Sequence, residues 1–116
     1  MTSSDERKLS RGSGPSIEFE TRDRRGRRID SLSVPEKQVE ALLRAVAATG
    51  GTHLSSIDMY GDTVFSHEKC VFAQAECVAA LPLLRDEQAR KGAEDICRVV
   101  SIVGADPKLS LVVVGN

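Results

Sequence analysis

At 116 residues the chain has room for one domain with a single core, and its 41% hydrophobic and 28% charged content is that of an ordinary globular protein. With one Tyr, three Phe and no Trp, the core has to be filled by Ala, Val, Leu and Ile, and single-stranded nucleic-acid binding, which needs exposed rings for base stacking, is disfavoured. The formal net charge of −1 hides an asymmetry: residues 1–28 carry eight Lys and Arg against five Asp and Glu, the remainder eight against twelve.

Residues 1–15 are rich in Ser, Gly and charge, with Leu9 the only sizeable apolar side chain after the initiator, so burial cannot offset the entropy of ordering them. They read as a disordered polar tail, and residues 16–116 as a single domain. Ile17, Phe19 and Thr21 alternate with Glu18, Glu20 and Arg22 at the period of a half-buried strand. Arg25-Gly26 marks a turn, and Ile29 to Leu32 is the return strand of a hairpin. Ser33-Val34-Pro35-Glu36 has the pattern of a capping box, with Ser33 as the cap and Glu36 reaching back. The helix it opens carries Val39, Leu42, Leu43 and Val46 on one stripe, with Glu36, Lys37, Glu40 and Arg44 outside, and Gly50-Gly51 ends it.

From His53 to Phe65 the sequence predicts a strand, a break at Gly61-Asp62 and a short apolar exit. Ser66 can cap a helix from about His67 to Ala80, with Glu68 favourable at its positive end and Pro82 stopping it. Ala93, Ile96, Cys97, Val100 and Val103 predict a further helix from about Glu87 to Val103, closed by Gly104. Leu109 to Val114 is apolar on both faces, as an interior strand would be. The order is ββ-α-β-α-α-β, an α+β fold with a small, mainly antiparallel sheet and helices largely on one face.

No apolar run is long enough to span a bilayer and no charged-then-apolar leader opens the chain, so a cytoplasmic location is expected. Three cysteines do not form a disulfide framework. Cys70 and Cys77, seven apart on one helix, are separated by about 10 Å along its axis and cannot bridge each other.

Four constellations bear on function. Asp58 and Asp62 flank a turn, where a carboxylate accepts backbone N–H groups and Thr63 can do the same, so local capping explains them better than a shallow acidic site for a cation or a basic partner. His67 and Cys70 make a His-x-x-Cys pair, but the spacing to Cys77, Cys97 and His53 does not suit a zinc site, and the cysteines fall on a face that reads as core. Cys70 lies in the first turn of a helix near His67, a starting condition for a reactive thiol that lacks an orienting acid or an oxyanion hole. Arg22, Arg24, Arg25, Arg27 and Arg28 crowd the hairpin tip, where they could grip an acidic protein surface or, weakly, a nucleic acid. Glu18, Glu20, Asp23 and Asp30 are close enough to neutralise much of that charge. No phosphate loop, nucleophile elbow or dinucleotide fingerprint is present.

The run Ile57-Asp58-Met59-Tyr60-Gly61-Asp62-Thr63-Val64-Phe65 resembles a hydrophobic-Asp-x-Tyr-Gly-Asp-Thr-x-Phe segment of a group of small, uncharacterised bacterial proteins. These also have helices after the segment and a short C-terminal strand ending in Gly plus Asp or Asn, which Leu109 to Asn116 matches. The resemblance covers roughly residues 53–116 and implies a fold but no activity; the group's usual Pro after the first Asp is Met59 here.

By subtraction, the expected function is a non-catalytic, cytoplasmic protein-binding module, of the kind that sequesters or neutralises its partner, with no cofactor and no metal. Its contact residues would be Arg24, Arg25, Arg27 and Arg28 at the hairpin tip, and Asp58, Tyr60 and Asp62 at the turn, with Tyr60 as an exposed anchor. The alternative is a small enzyme or ligand-binding protein built on Asp58, Asp62, His67 and Cys70. Self-association through an edge strand stays open.

Overall fold

The computed structural model describes residues 15–116; residues 1–14 of the predicted tail lie outside the described residues. Strand β1 (Ser16–Arg22) pairs antiparallel with strand β2 (Arg28–Pro35), forming the predicted hairpin around Gly26, whose φ of +80° is the left-handed conformation that glycine supplies without a steric cost. Alternation buries Ile17, Phe19 and Thr21 on the inner face. The return strand runs further than predicted, because Val34 pairs with Ile17 and is itself buried. That register overturns the predicted capping box: Ser33 stands opposite Glu18 in the sheet, and the next helix begins behind Pro35 without a side-chain cap. The Glu36 N–H is satisfied instead by the Pro15 carbonyl at 2.9 Å, so ladder pairing and burial of Val34 prevail over one capping bond.

Helix α1 (Glu36–Ala48) buries Val39, Leu42, Ala45 and Val46, and Gly50 beyond its end has φ +84°. Residues 53–60 are not the predicted strand. Leu54–Ser56 make one 3-10 turn, Leu54 and Ile57 are buried three apart, and the Ser55 and Ser56 hydroxyls bond back to the Gly51 and His53 carbonyls at 3.1 and 2.6 Å. Local hydroxyl bonding and helical spacing thus displace extension, and the only strand in this region is the short exit, β3 (Asp62–Phe65). Ser66 caps α2 (His67–Ala80) by accepting the Lys69 N–H at 3.2 Å. A second 3-10 turn, Leu81–Leu83, follows at Pro82. Asp86 caps α3 (Glu87–Ala105) by accepting the Ala89 N–H at 2.8 Å; this helix continues through Gly104 instead of closing there.

Strand β4 (Ser110–Val114) returns between β1 and β3, giving the order β2-β1-β4-β3 with every neighbouring pair antiparallel. The fold is α+β with the predicted element order, and the three helices pack on one face of the sheet. Their buried side chains meet Ile17, Phe19, Val34, Phe65, Leu111 and Val113 in one core. The other face holds Glu18, Glu20, Arg22, Val64, Val112 and Val114, and no described element covers it. No helix among the described residues is long and apolar enough to cross a membrane.

Candidate interaction surfaces

The arginine-rich tip is largely self-neutralised. Asp23 accepts the Arg25 and Arg27 backbone N–H groups, each at 2.9 Å, and the Arg27 guanidinium at 3.1 Å. These bonds, the Arg27 N–H foremost, hold its carboxyl below the usual aspartate range. Glu20 lies under Arg22, which also bonds the Gly26 carbonyl, and Arg28 stands 3.6 Å from its other oxygen. Among the described residues, Arg24 and Arg25 have no carboxylate within ion-pair distance, so two of the five guanidinium groups point out unmatched.

The Asp58–Asp62 turn is built as a cap. Asp58 Oδ1 accepts the Tyr60 N–H at 2.9 Å, and Thr63 Oγ1 accepts the Asp58 N–H at 2.9 Å. The chain end locks onto it: the Gly115 N–H reaches the Gly61 carbonyl at 2.8 Å and the Asn116 N–H the Met59 carbonyl at 2.9 Å. The two parts of the bacterial resemblance, the Tyr-Gly-Asp segment and the terminal Gly-Asn, are therefore one structural unit. Tyr60 stands 77% exposed at its apex.

These two surfaces do not form one site. The arginine tip adjoins the Ser110 end of β4 and the turn adjoins its Val114 end, so roughly 13 Å of strand separates them. For the same reason the Asp58, Asp62, His67 and Cys70 group is not assembled, since Asp62 opens β3 and His67 lies beyond the strand's other end.

The thiols of Cys70 and Cys77 face inward from α2 and are fully buried. Burial pushes the Cys70 thiol up to about 12, the opposite of what a helix start would do to an exposed one. The neighbouring Cys97 thiol, with burial, raises the pKa of Cys77, and Cys77 in turn lowers that of Cys97 against the opposing effect of burial. His67 is tied by Nδ1 to the Val103 carbonyl at 3.0 Å, joining the start of α2 to the end of α3. Iodoacetamide should therefore label Cys97 first in the folded protein and reach Cys70 and Cys77 only on unfolding; peptide mapping that finds Cys70 alkylated at a free-thiol rate would show that it is not sealed by packing.

At the arginine-tip end an open cleft of about 480 Å³ is lined by Arg24 and Lys108 and by Asp23 and Glu68, so its charges cancel. Among the described residues no three His, Cys, Asp or Glu side chains converge as metal ligands would.

One surface was missed from sequence. Helix α2 turns Cys70, Ala73, Cys77 and Ala80 inward, while Val71, Phe72 and Val78 on its far side, with Leu83 just beyond it, are 46% to 59% exposed. At 100° per residue, Val71, Phe72, Ala75, Val78, Ala79 and Pro82 form an apolar strip about 120° wide and centred on Ala75. The His53 ring stacks on Phe72 with centroids 5.1 Å apart, and Glu76 holds that ring at 2.9 Å from Nδ1. A helix apolar on opposite sides was the available signal, because a two-layer fold can bury only one of them. Comparison with known proteins finds no matching family model, curated protein or solved structure.

Proposed function

We propose that this chain is a non-catalytic protein-binding module that docks through the outer face of α2. The observation that carries the reading is the strip itself: Phe72, Val71, Val78 and Leu83 stand together in solvent, and a contiguous apolar patch of this kind often marks an interaction site. The residues first expected to make contact support it by contrast, since Asp58 is occupied as a cap and Arg27 and Arg28 as ion pairs. Arg24, Arg25, Tyr60 and Asp62 remain accessible, but the two arginines and the two turn residues stand at opposite ends of the sheet.

A photo-crosslinking residue placed at Val78 is expected to form protein adducts in cells, and the same residue at Lys37 on α1 to form few. Adducts that arise instead from Tyr60 or Arg25, with none from Val78, would refute docking through α2. Introducing Phe72→Glu alongside the probe should remove at least nine-tenths of the Val78 adduct while leaving the folded circular-dichroism spectrum unchanged, because Phe72 is mostly exposed.

A further inference from the structure

Resting on that reading, we infer that the occupant of the α2 face is a second copy of this chain, paired antiparallel across a two-fold axis at Ala75. The strip is self-complementary about that residue. Val71 and Phe72 lie one turn before it, Val78 and Ala79 one turn after, and Phe72 and Val78 flank the strip's midline on opposite sides. An antiparallel two-fold lying in the interface reverses the axial order but keeps each edge of the strip on its own side, so Phe72 of each copy packs on Ala79 of the other and Val71 on Val78, and only two small side chains lie between the helix backbones at the centre.

One charge pair at the ends favours the same arrangement. Exposed Glu68 sits in line with the strip at the start of α2 and exposed Arg85 follows its far end, so reversing one copy brings opposite charges and opposite helix-dipole ends together.

The area is sufficient. Four large apolar side chains about half exposed, with Ala75, Ala79 and Pro82 between them, offer on the order of 500 Å² per copy, so a pair covers about 1,000 Å², the lower bound for a specific interface. A dimer that forms in the micromolar range follows from so small an area. The open sheet face competes poorly, because its apolar half, Val64, Val112 and Val114, is bordered by the carboxylates of Glu18 and Asp62, neither in an ion pair among the described residues and both costly to bury.

The test is sedimentation velocity of the purified full chain from low micromolar to several hundred micromolar. Wild type should shift toward twice the chain mass as concentration rises. Phe72→Glu should weaken the dimer at least a hundredfold, whereas Val64→Glu on the sheet face should leave it intact. In Ala75→Cys the two-fold brings the new thiols together, so mild oxidation should give a covalent dimer that peptide mapping assigns to position 75 on both chains. A wild-type chain that stays monomeric throughout overturns the inference, as does a dimer that Val64→Glu disrupts or that Ala75→Cys fails to crosslink. A monomer whose Val78 probe still captures a different protein in cells would sink self-pairing while leaving docking through α2 standing; loss of every Val78 adduct would sink both.

Discussion

Replacing Glu76 by alanine is expected to cost about 3 kcal/mol of stability and more than about 10 °C in melting temperature. The reason is that one carboxylate, 13% exposed, serves three backbone donors 22 to 24 residues away. Oε1 accepts the Leu54 N–H at 2.8 Å, and Oε2 accepts those of Thr52 at 3.0 Å and His53 at 2.9 Å. These are the unpaired donors at the start of the 3-10 turn, and no side chain within the turn caps them. Gly51 makes the approach possible, since a Cβ there would lie 3.0 Å from Glu76 Cδ and 2.5 Å from Val46 Cγ1. Glu76→Gln should lose about half as much, because its amide offers one accepting oxygen and turns N–H groups against the remaining donors.

The same carboxylate gives the protein an acid limb. Burial pushes the Glu76 pKa up, but the Leu54 and His53 N–H groups, the His53 ring and the Thr52 N–H outweigh it and hold the group below its ordinary 4.5. A folded value below the unfolded one means that the stabilisation is complete above pH 4.5 and is lost as pH falls from there through the folded value. Urea midpoints measured against pH should show wild type and Glu76→Gln converging on the acid side of that point. Parallel curves would mean that the hydrogen bonds matter and the charge does not.

Glu76 also marks the boundary of what the chain's pattern reveals. Periodicity of 2 in Ile17-Phe19-Thr21 and of 3.6 in Val39 to Val46 and Ala93 to Val103 is a local consequence of burying one face, and those elements were legible. Cys70, Ala73 and Cys77 could be read as inward-facing for the same reason, and partial neutralisation of the arginine tip followed from sequence proximity, with Glu20 and Asp23 as the acids that act. Glu18 and Asp30 go elsewhere, to the Ser31 hydroxyl and the Ser31 N–H.

What failed was long-range. Ser33 has the composition of a cap, but register with Glu18 draws it into the sheet. His53 to Tyr60 has strand-like residues, yet a glutamate on a distant helix and two local hydroxyls capture its backbone. The α2 strip was not legible, because a second apolar face beside that of Cys70, Ala73 and Cys77 is known to be uncovered only once the helix layer is known to be one deep.

Gly115→Ala is expected to be the second most damaging change outside the core, at about 2–3 kcal/mol. A Cβ at this position would lie 2.6 Å from both the Gly61 and Met59 carbonyl oxygens and 2.7 Å from the Gly61 nitrogen. All three are backbone atoms held by the turn, so no side chain can swing aside. The strain is relieved only by lifting the chain end, which breaks the Gly115 and Asn116 bonds to the turn and frees the Tyr60 loop. Two controls separate this crowding from a general effect of adding a methyl group. At Gly61 the Cβ would meet the Asp58 carboxylate, an end that can rotate, so Gly61→Ala should cost less than Gly115→Ala. At Gly104, inside α3, the nearest atoms are 3.5 Å away, and alanine should be neutral or stabilise by up to about 1 kcal/mol through helix propensity. Amide exchange would locate the damage: in Gly115→Ala protection should fall at Gly61 and at the end of β4 while α1 keeps its own. Uniform loss across the chain would instead mean that the turn and the terminus are integral to the global unfolding unit, and that the terminal Gly-Asn is a fold requirement rather than a local latch.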